Sequence, residues 1–129
     1  MESNSLLKRL EMYAMINAIE NDLVDNLSNK LTLQDIPKAV IDKSQNVKDY
    51  NNLLEILRGS DLQGYIEILN ANVYKVNMTA EEKIFLNIHF DKIIPVRNRV
   101  MHPRLLEFYD YSNLKNCFDN IETELKFID

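Results

Sequence analysis

Only two glycines, Gly59 and Gly64, stand in a chain of 129 residues, with no lysine-serine or lysine-threonine pair after them. A phosphate-cradling loop or a dinucleotide fingerprint needs closely set glycines, so that backbone can approach the phosphate, and neither can be built here. Two-residue hairpins draw on Asn-Gly, Asp-Gly or Gly-Gly, and the chain contains none of these. These absences argue against a β-sandwich, a barrel or a doubly wound α/β fold. Helices are what remains.

The apolar pattern agrees. Met12, Ile16, Ile19, Leu23 and Leu27 recur at helical spacing, with Asn17, Glu20, Asn21 and Asp25 between them, which predicts one long helix from about Ser5 to Ser28. From Thr32 to Asn46 a shorter helix is expected, opened by Thr32 and Asp35, with Pro37 in its first turn and Ile36, Val40 and Ile41 inward. Tyr50, Leu53, Leu54, Ile56 and Leu57 continue helically to Gly59, which reads as a C-terminal cap. Ser60 and Gln63 then form a capping box for a helix through Ile66, Ile68 and Leu69, and Asn70 to Met78 reads as a loop or short extended piece. Thr79-Ala80-Glu81-Glu82 is a clear capping box, opening an apolar helix that runs to about His102. Leu114, Phe118, Ile121, Leu125 and Ile128 make a last helix, still helical in pattern at Asp129, as in a domain that continues into a longer chain. The expected architecture is all-α, an up-and-down helical bundle of four to six helices in a single domain.

Composition narrows the function classes. The net charge of −5 argues against generic nucleic-acid coating, which requires broad phosphate neutralisation. The lone Cys117 excludes an internal disulfide and fits a reducing, cytoplasmic setting. Cys-His zinc patterns are absent, no apolar run reaches about 18 residues, and Met1-Glu2-Ser3-Asn4 is not a basic-then-apolar leader. Neither a metal nor a membrane is expected.

The charge is unevenly spread. Lys92, Arg97, Arg99 and Arg104 crowd one stretch with no acid between Asp91 and Glu107, and His102 sits among them. On a helical wheel with Ile84 at zero, the apolar residues Phe85, Val96, Val100, Ile93, Leu86, Phe90, Met101 and Ile94 span roughly 100° to 280°. Arg97 falls near 220°, inside that arc, whereas Arg99 at about 60° and His102 near 0° lie outside it. A buried guanidinium needs a carboxylate, a phosphate or a wet interface. One solution is a salt bridge to an acid of the first helix, Glu20 or Asp22. Another follows from the width of the arc, which leaves apolar surface for a second copy of the chain, with Arg97 at the seam. Pro95 lacks a backbone donor and clashes with the carbonyl of Asp91, so a kink there would re-aim Arg97.

His102 precedes Pro103, which disfavours the α region and ends the helix. A helix C-terminus favours a protonated imidazole, and Asn98, four residues earlier on the same face, is placed to orient the ring. Such a histidine can donate a proton near neutral pH, or simply cap the helix without chemistry. Cleavage of RNA through a 2′-hydroxyl needs a base, an acid and a cation on the phosphate. One chain offers a single motif histidine, and two copies about a two-fold axis would supply a pair.

Arg97-Asn98-x-x-x-His102 resembles the arginine, four to six residues, histidine signature of the HEPN superfamily, in which a polar residue often follows the arginine. The all-helical pattern and the motif's place at the end of the penultimate long helix fit the same family. The resemblance implies a helical bundle that dimerises with the two motifs facing each other, and a metal-independent, cofactor-free endoribonuclease acting as a toxin or phage-defence effector. It further implies Arg97 on the scissile phosphate, His102 as general acid or base, and Asn98 orienting it or contacting substrate. Arg99, Arg104 and Lys92 would bind substrate RNA, and an antitoxin or a fused sensor domain would be the partner. Members silenced by a nucleotidyltransferase antitoxin carry a tyrosine two residues after the histidine. Here that position is Arg104, which points to a defence-type or fused effector. The family also contains non-catalytic dimerisation and interaction modules of larger regulatory or defence proteins.

The remaining candidates read as structure. His89 is expected to be a satisfied core histidine, Cys117 a small buried hydrophobe, Glu81 and Glu82 helix-capping acids, and Met12, Met15 and Met78 core filler.

Overall fold

In the computed structural model, which describes residues 2–47, 52–102 and 104–124, the first apolar stripe becomes the spine of α1 (Glu2–Lys30). Met12, Ile16, Ile19, Leu23 and Leu27 are all buried, as their spacing requires. Beyond α1 come a 3-10 turn at Leu33–Asp35, α2 (Lys38–Val47), α3 (Leu53–Gly59), α4 (Leu62–Ala71), α5 (Ala80–Met101) and α6 (Asp110–Glu124). The described residues contain no strand, so the fold is an all-α bundle, and no helix among them is long and apolar enough to cross a membrane. Tyr50, Pro103, Leu125 and Ile128, which entered the sequence reading, lie outside the described residues.

Local chemistry explains the ends of these elements. Between Thr32 and Asn46 the chain makes a tight turn before the helix, because the Asp35 carboxylate accepts both the backbone N–H of Thr32 at 2.8 Å and its hydroxyl at 3.2 Å. Pro37 sits one residue ahead of α2, and its carbonyl accepts from Val40 and Ile41. Helix α3 does stop at Gly59, but no glycine takes a positive φ, and Ser60 is the capping residue. The expected Ser60–Gln63 box is displaced by one residue. Ser60 Oγ donates to the carbonyl of Ile56 at 2.7 Å, and Asp61 caps α4 by accepting the Gly64 N–H at 2.9 Å. The stretch between α4 and α5 is a series of turns in which Asn77 adopts φ 59°, and Val76 and Met78 plug into the core.

The box at the start of α5 is present in full. Thr79 Oγ1 accepts from the N–H of Glu82 at 3.1 Å, and Glu82 Oε1 accepts from the N–H of Thr79 at 3.0 Å. Thr79→Ala is expected to cost about 1 kcal/mol, while Thr79→Ser, which keeps the acceptor, is expected to leave stability near wild type. Urea denaturation followed by circular dichroism reads the difference.

Helix α5 runs continuously through Pro95, which is exposed. Leu86, Phe90, Ile93, Val96 and Val100 are buried, Phe85, Ile94 and Met101 are half-buried, and Ile84 and Ile88 on the opposite side face solvent. The burial follows the predicted arc. That arc, wider than one neighbour requires, is occupied by α1, α4 and α6 of the same chain. Between α4 and α5, Asn70 and Asn87 exchange amide hydrogen bonds at 3.1 and 3.0 Å.

Candidate functional site

Arg97 points from α5 toward α1 and the α3–α4 junction. It lines an open cleft of about 620 Å³ together with Asn17, Glu20, Arg58, Ser60 and Tyr65. Its Nη2 lies 4.0 Å from Oε2 of Glu20, the acid of the first helix anticipated as one of two alternatives. Both side chains are largely enclosed, Arg97 at 19% and Glu20 at 14% exposure. Charge attraction at this separation is real, but it is not a hydrogen bond. Arg97 donates none to the described residues, and its Nε is buried without a partner among them. A guanidinium that keeps its donors unused beside a polar cleft is available to an oxyanion.

Burial pushes the Glu20 carboxyl above its usual range, opposed by the charge of Arg97 and helped by Asp61. Asp61 behaves in the reverse way. Burial acts to raise it, yet the Gly64 N–H, the charge of Lys43 at 3.3 Å and Arg97 together hold it lower. Tyr65 is pushed upward by burial and by the two carboxylates, and its hydroxyl donates to the carbonyl of Leu57 at 2.7 Å. The cleft therefore holds one carboxyl drawn toward the protonated form, Glu20, with the charge of Asp61 acting on it from outside the lining.

His102 is the C-terminal capping residue of α5, exposed, with its backbone N–H on the carbonyl of Asn98 at 3.3 Å. Its ring has no partner among the described residues, so the tie between Asn98 and His102 runs through backbone, not through the Asn98 amide. His102 lines a second, shallower cleft with Arg9, Val100, Met101, Arg104 and Leu105. Met101 borders both clefts, and Arg97 and His102 line different ones, so the two motif side chains do not meet in one site of this chain.

The other basic residues part company. Arg104 is exposed beside His102. Lys92 is exposed and lines neither cleft, lying instead near His89. Arg99, read from the sequence as a substrate-steering charge, is forked onto Asp110. Its Nε and Nη2 donate to the two carboxylate oxygens at 2.7 and 2.6 Å, and Glu107 lies 3.8 Å from its Nη1. His89 is half-buried, with its ring edge-on to Phe85 at 4.3 Å, and burial lowers its basicity. Cys117 is buried, and burial pushes its thiol up to about 12, which leaves it without thiolate character at neutral pH.

One participant left no pattern in the sequence. Arg9 of α1 reaches across to the end of α5, where its Nη2 donates to the carbonyls of Arg99 at 2.6 Å, Val100 at 3.4 Å and His102 at 2.8 Å. Its Nη1 donates to the carbonyl of Arg104 at 3.0 Å. The carbonyls of Arg99 and Val100 belong to the last turn, where a helix C-terminus leaves them without partners; the His102 carbonyl, just past the helix, also accepts the Arg104 N–H at 2.7 Å. The guanidinium satisfies them and fixes the backbone that carries His102.

Comparison with protein-family models, with curated proteins and with solved structures returned no match for this chain.

Proposed function

We propose that the chain is a metal-independent endoribonuclease of HEPN type, working in the cytoplasm as a toxin or phage-defence effector. Arg97 binds the scissile phosphate and His102 is the general acid or base. The observation that carries this reading is the state of the two motif side chains. Arg97 stands in a polar cleft with no hydrogen bond to the described residues, and the ring of His102 stands without a partner among them in a separate, shallower cleft. A structural arginine is normally saturated, as Arg99 and Arg9 are here. Asn98 adjusts the turn bearing His102, and Arg104 supports the RNA backbone. Two copies with facing motifs are the expected assembly, joined to an antitoxin or a fused sensor domain.

The test uses the purified chain with single-stranded and structured RNAs in EDTA, wild type beside His102→Ala. The variant is expected to cleave about 100-fold or more slowly, with unchanged melting temperature because His102 is exposed and unpaired. Equal cleavage by both proteins, or none by either across all RNA classes, overturns the proposal. A second reading, a non-catalytic interaction module, is favoured by the position of Glu20, whose carboxylate faces Arg97 where a phosphate would bind. It expects self-association without cleavage.

A further inference from the structure

We infer that Glu20 is the general base of the reaction, so that base and phosphate-binding cation share one cleft of a single chain. The inference rests on the endoribonuclease reading and adds to it a residue outside the motif.

The geometry comes first. Glu20 lies on α1, 77 positions before Arg97, yet its carboxylate is within 4.0 Å of the guanidinium in the same cleft. In RNA the 2′-hydroxyl is a neighbour of the phosphate it attacks. A carboxylate next to the phosphate-binding cation is therefore within reach of the 2′-hydroxyl proton once the phosphate takes its place on Arg97. Charged and titratable groups face Glu20 from every element around it: Arg97 from α5, Arg58 from α3, Asp61 at the α3–α4 junction, Tyr65 from α4 and Asp25 on α1 itself. Arg97 is the cation within ion-pair distance, and its charge keeps the carboxyl usable as a base despite its burial. A base drawn upward by desolvation is also a stronger proton acceptor than a solvated carboxylate.

The step balances without a metal. The Glu20 carboxylate takes the proton of the ribose 2′-hydroxyl, and O2′ forms a bond to the adjacent phosphorus while Arg97 holds the non-bridging oxygens. The bond from phosphorus to O5′ breaks, and protonated His102, brought to the phosphate by the facing copy, gives its proton to O5′. The products are a 2′,3′-cyclic phosphate and a 5′-hydroxyl end. Exchange with water returns Glu20 to the carboxylate and His102 to the imidazolium.

Single-turnover cleavage of one RNA oligonucleotide across pH, by wild type, Glu20→Gln and Glu20→Asp, tests this. Wild type is expected to gain rate with rising pH on the acid side, as Glu20 ionises. Glu20→Gln is expected to lose that rise and about 100-fold in rate at saturating RNA, with RNA affinity within about threefold of wild type. Glu20→Asp is expected to retain the acid-side rise at an intermediate rate, and it decides the matter if the Gln variant does not fold. An acid-side rise that survives in Glu20→Gln, or a loss confined to RNA affinity, overturns the assignment while leaving the endoribonuclease standing. Wild type without cleavage overturns both.

Discussion

Asp110→Ala is expected to lower stability by about 3 kcal/mol and the melting temperature by roughly 10 °C, the largest single effect outside the apolar core. Asp110 is 2% exposed and opens α6. Its carboxylate accepts both N–H groups of the Arg99 fork and the backbone N–H of Glu107 at 2.7 Å. Removing it strands a guanidinium, frees a backbone donor and strips the first turn of α6 of its negative charge. The effect has a defined pH dependence. The hydrogen bond from Arg99, aided by the Glu107 N–H and Arg99's charge, outweighs burial and holds the Asp110 carboxyl below its ordinary value of 3.8. A depressed carboxyl stabilises the fold above its unfolded value, and that contribution disappears as pH falls through the folded one. Urea denaturation of wild type and variant should therefore differ most near pH 7 and converge as pH falls below 3.8 and through the lower folded value. Equal stability at neutral pH would remove the pair from the architecture of the site.

Arg9→Ala is the second large effect, because it acts on shape and chemistry together. The carbonyls of Arg99, Val100 and Arg104 lose their side-chain donor and that of His102 keeps only the Arg104 N–H, and charge-assisted bonds of this kind are worth about 2 kcal/mol in aggregate once water replaces them. The turn carrying His102 is then tied to α1 by packing alone. Cleavage is expected to fall about tenfold in the rate at saturating RNA, with affinity little changed, since Arg9 is fully engaged with backbone and holds no substrate. Arg9→Lys tests the geometry. A single ammonium on a flexible stem cannot span carbonyls that a planar fork reaches, so lysine should restore little of the rate. Full restoration by lysine would mean that charge, not the fork, is what the turn requires.

What was legible in the sequence follows from what repeats. The α1 stripe, the Thr79 box and the α5 arc are periodic or local, so burial of Met12 to Leu27 and of Leu86 to Val100 could be read from spacing alone. The enclosed place of Arg97 came from the same wheel, and Glu20 was one of two acids on α1 close enough in pattern to answer it. The Ser60 box was misplaced by one residue because Ser60 and Asp61 are both good caps, and only the backbone shows which of them meets the N–H of Gly64. The pairing of Arg99 with Asp110 crosses a loop and obeys no helical spacing. Arg9 is invisible in principle, since its partners are carbonyl oxygens, which every residue has.

The packing of α1 against α3, α5 and α6 has a consequence for synthesis. Helix α1 is made before α5 and α6, so part of its apolar stripe waits for partners that come late in the chain. The part of α1 that meets α5 and α6 has no lasting neighbour until those helices are made, several seconds later at ordinary translation speeds. An up-and-down arrangement built only of adjacent helices could harden as it is made. Here α1 is completed only when α6 packs on it, so a ribosome-bound fragment lacking α6 should remain a client for chaperones.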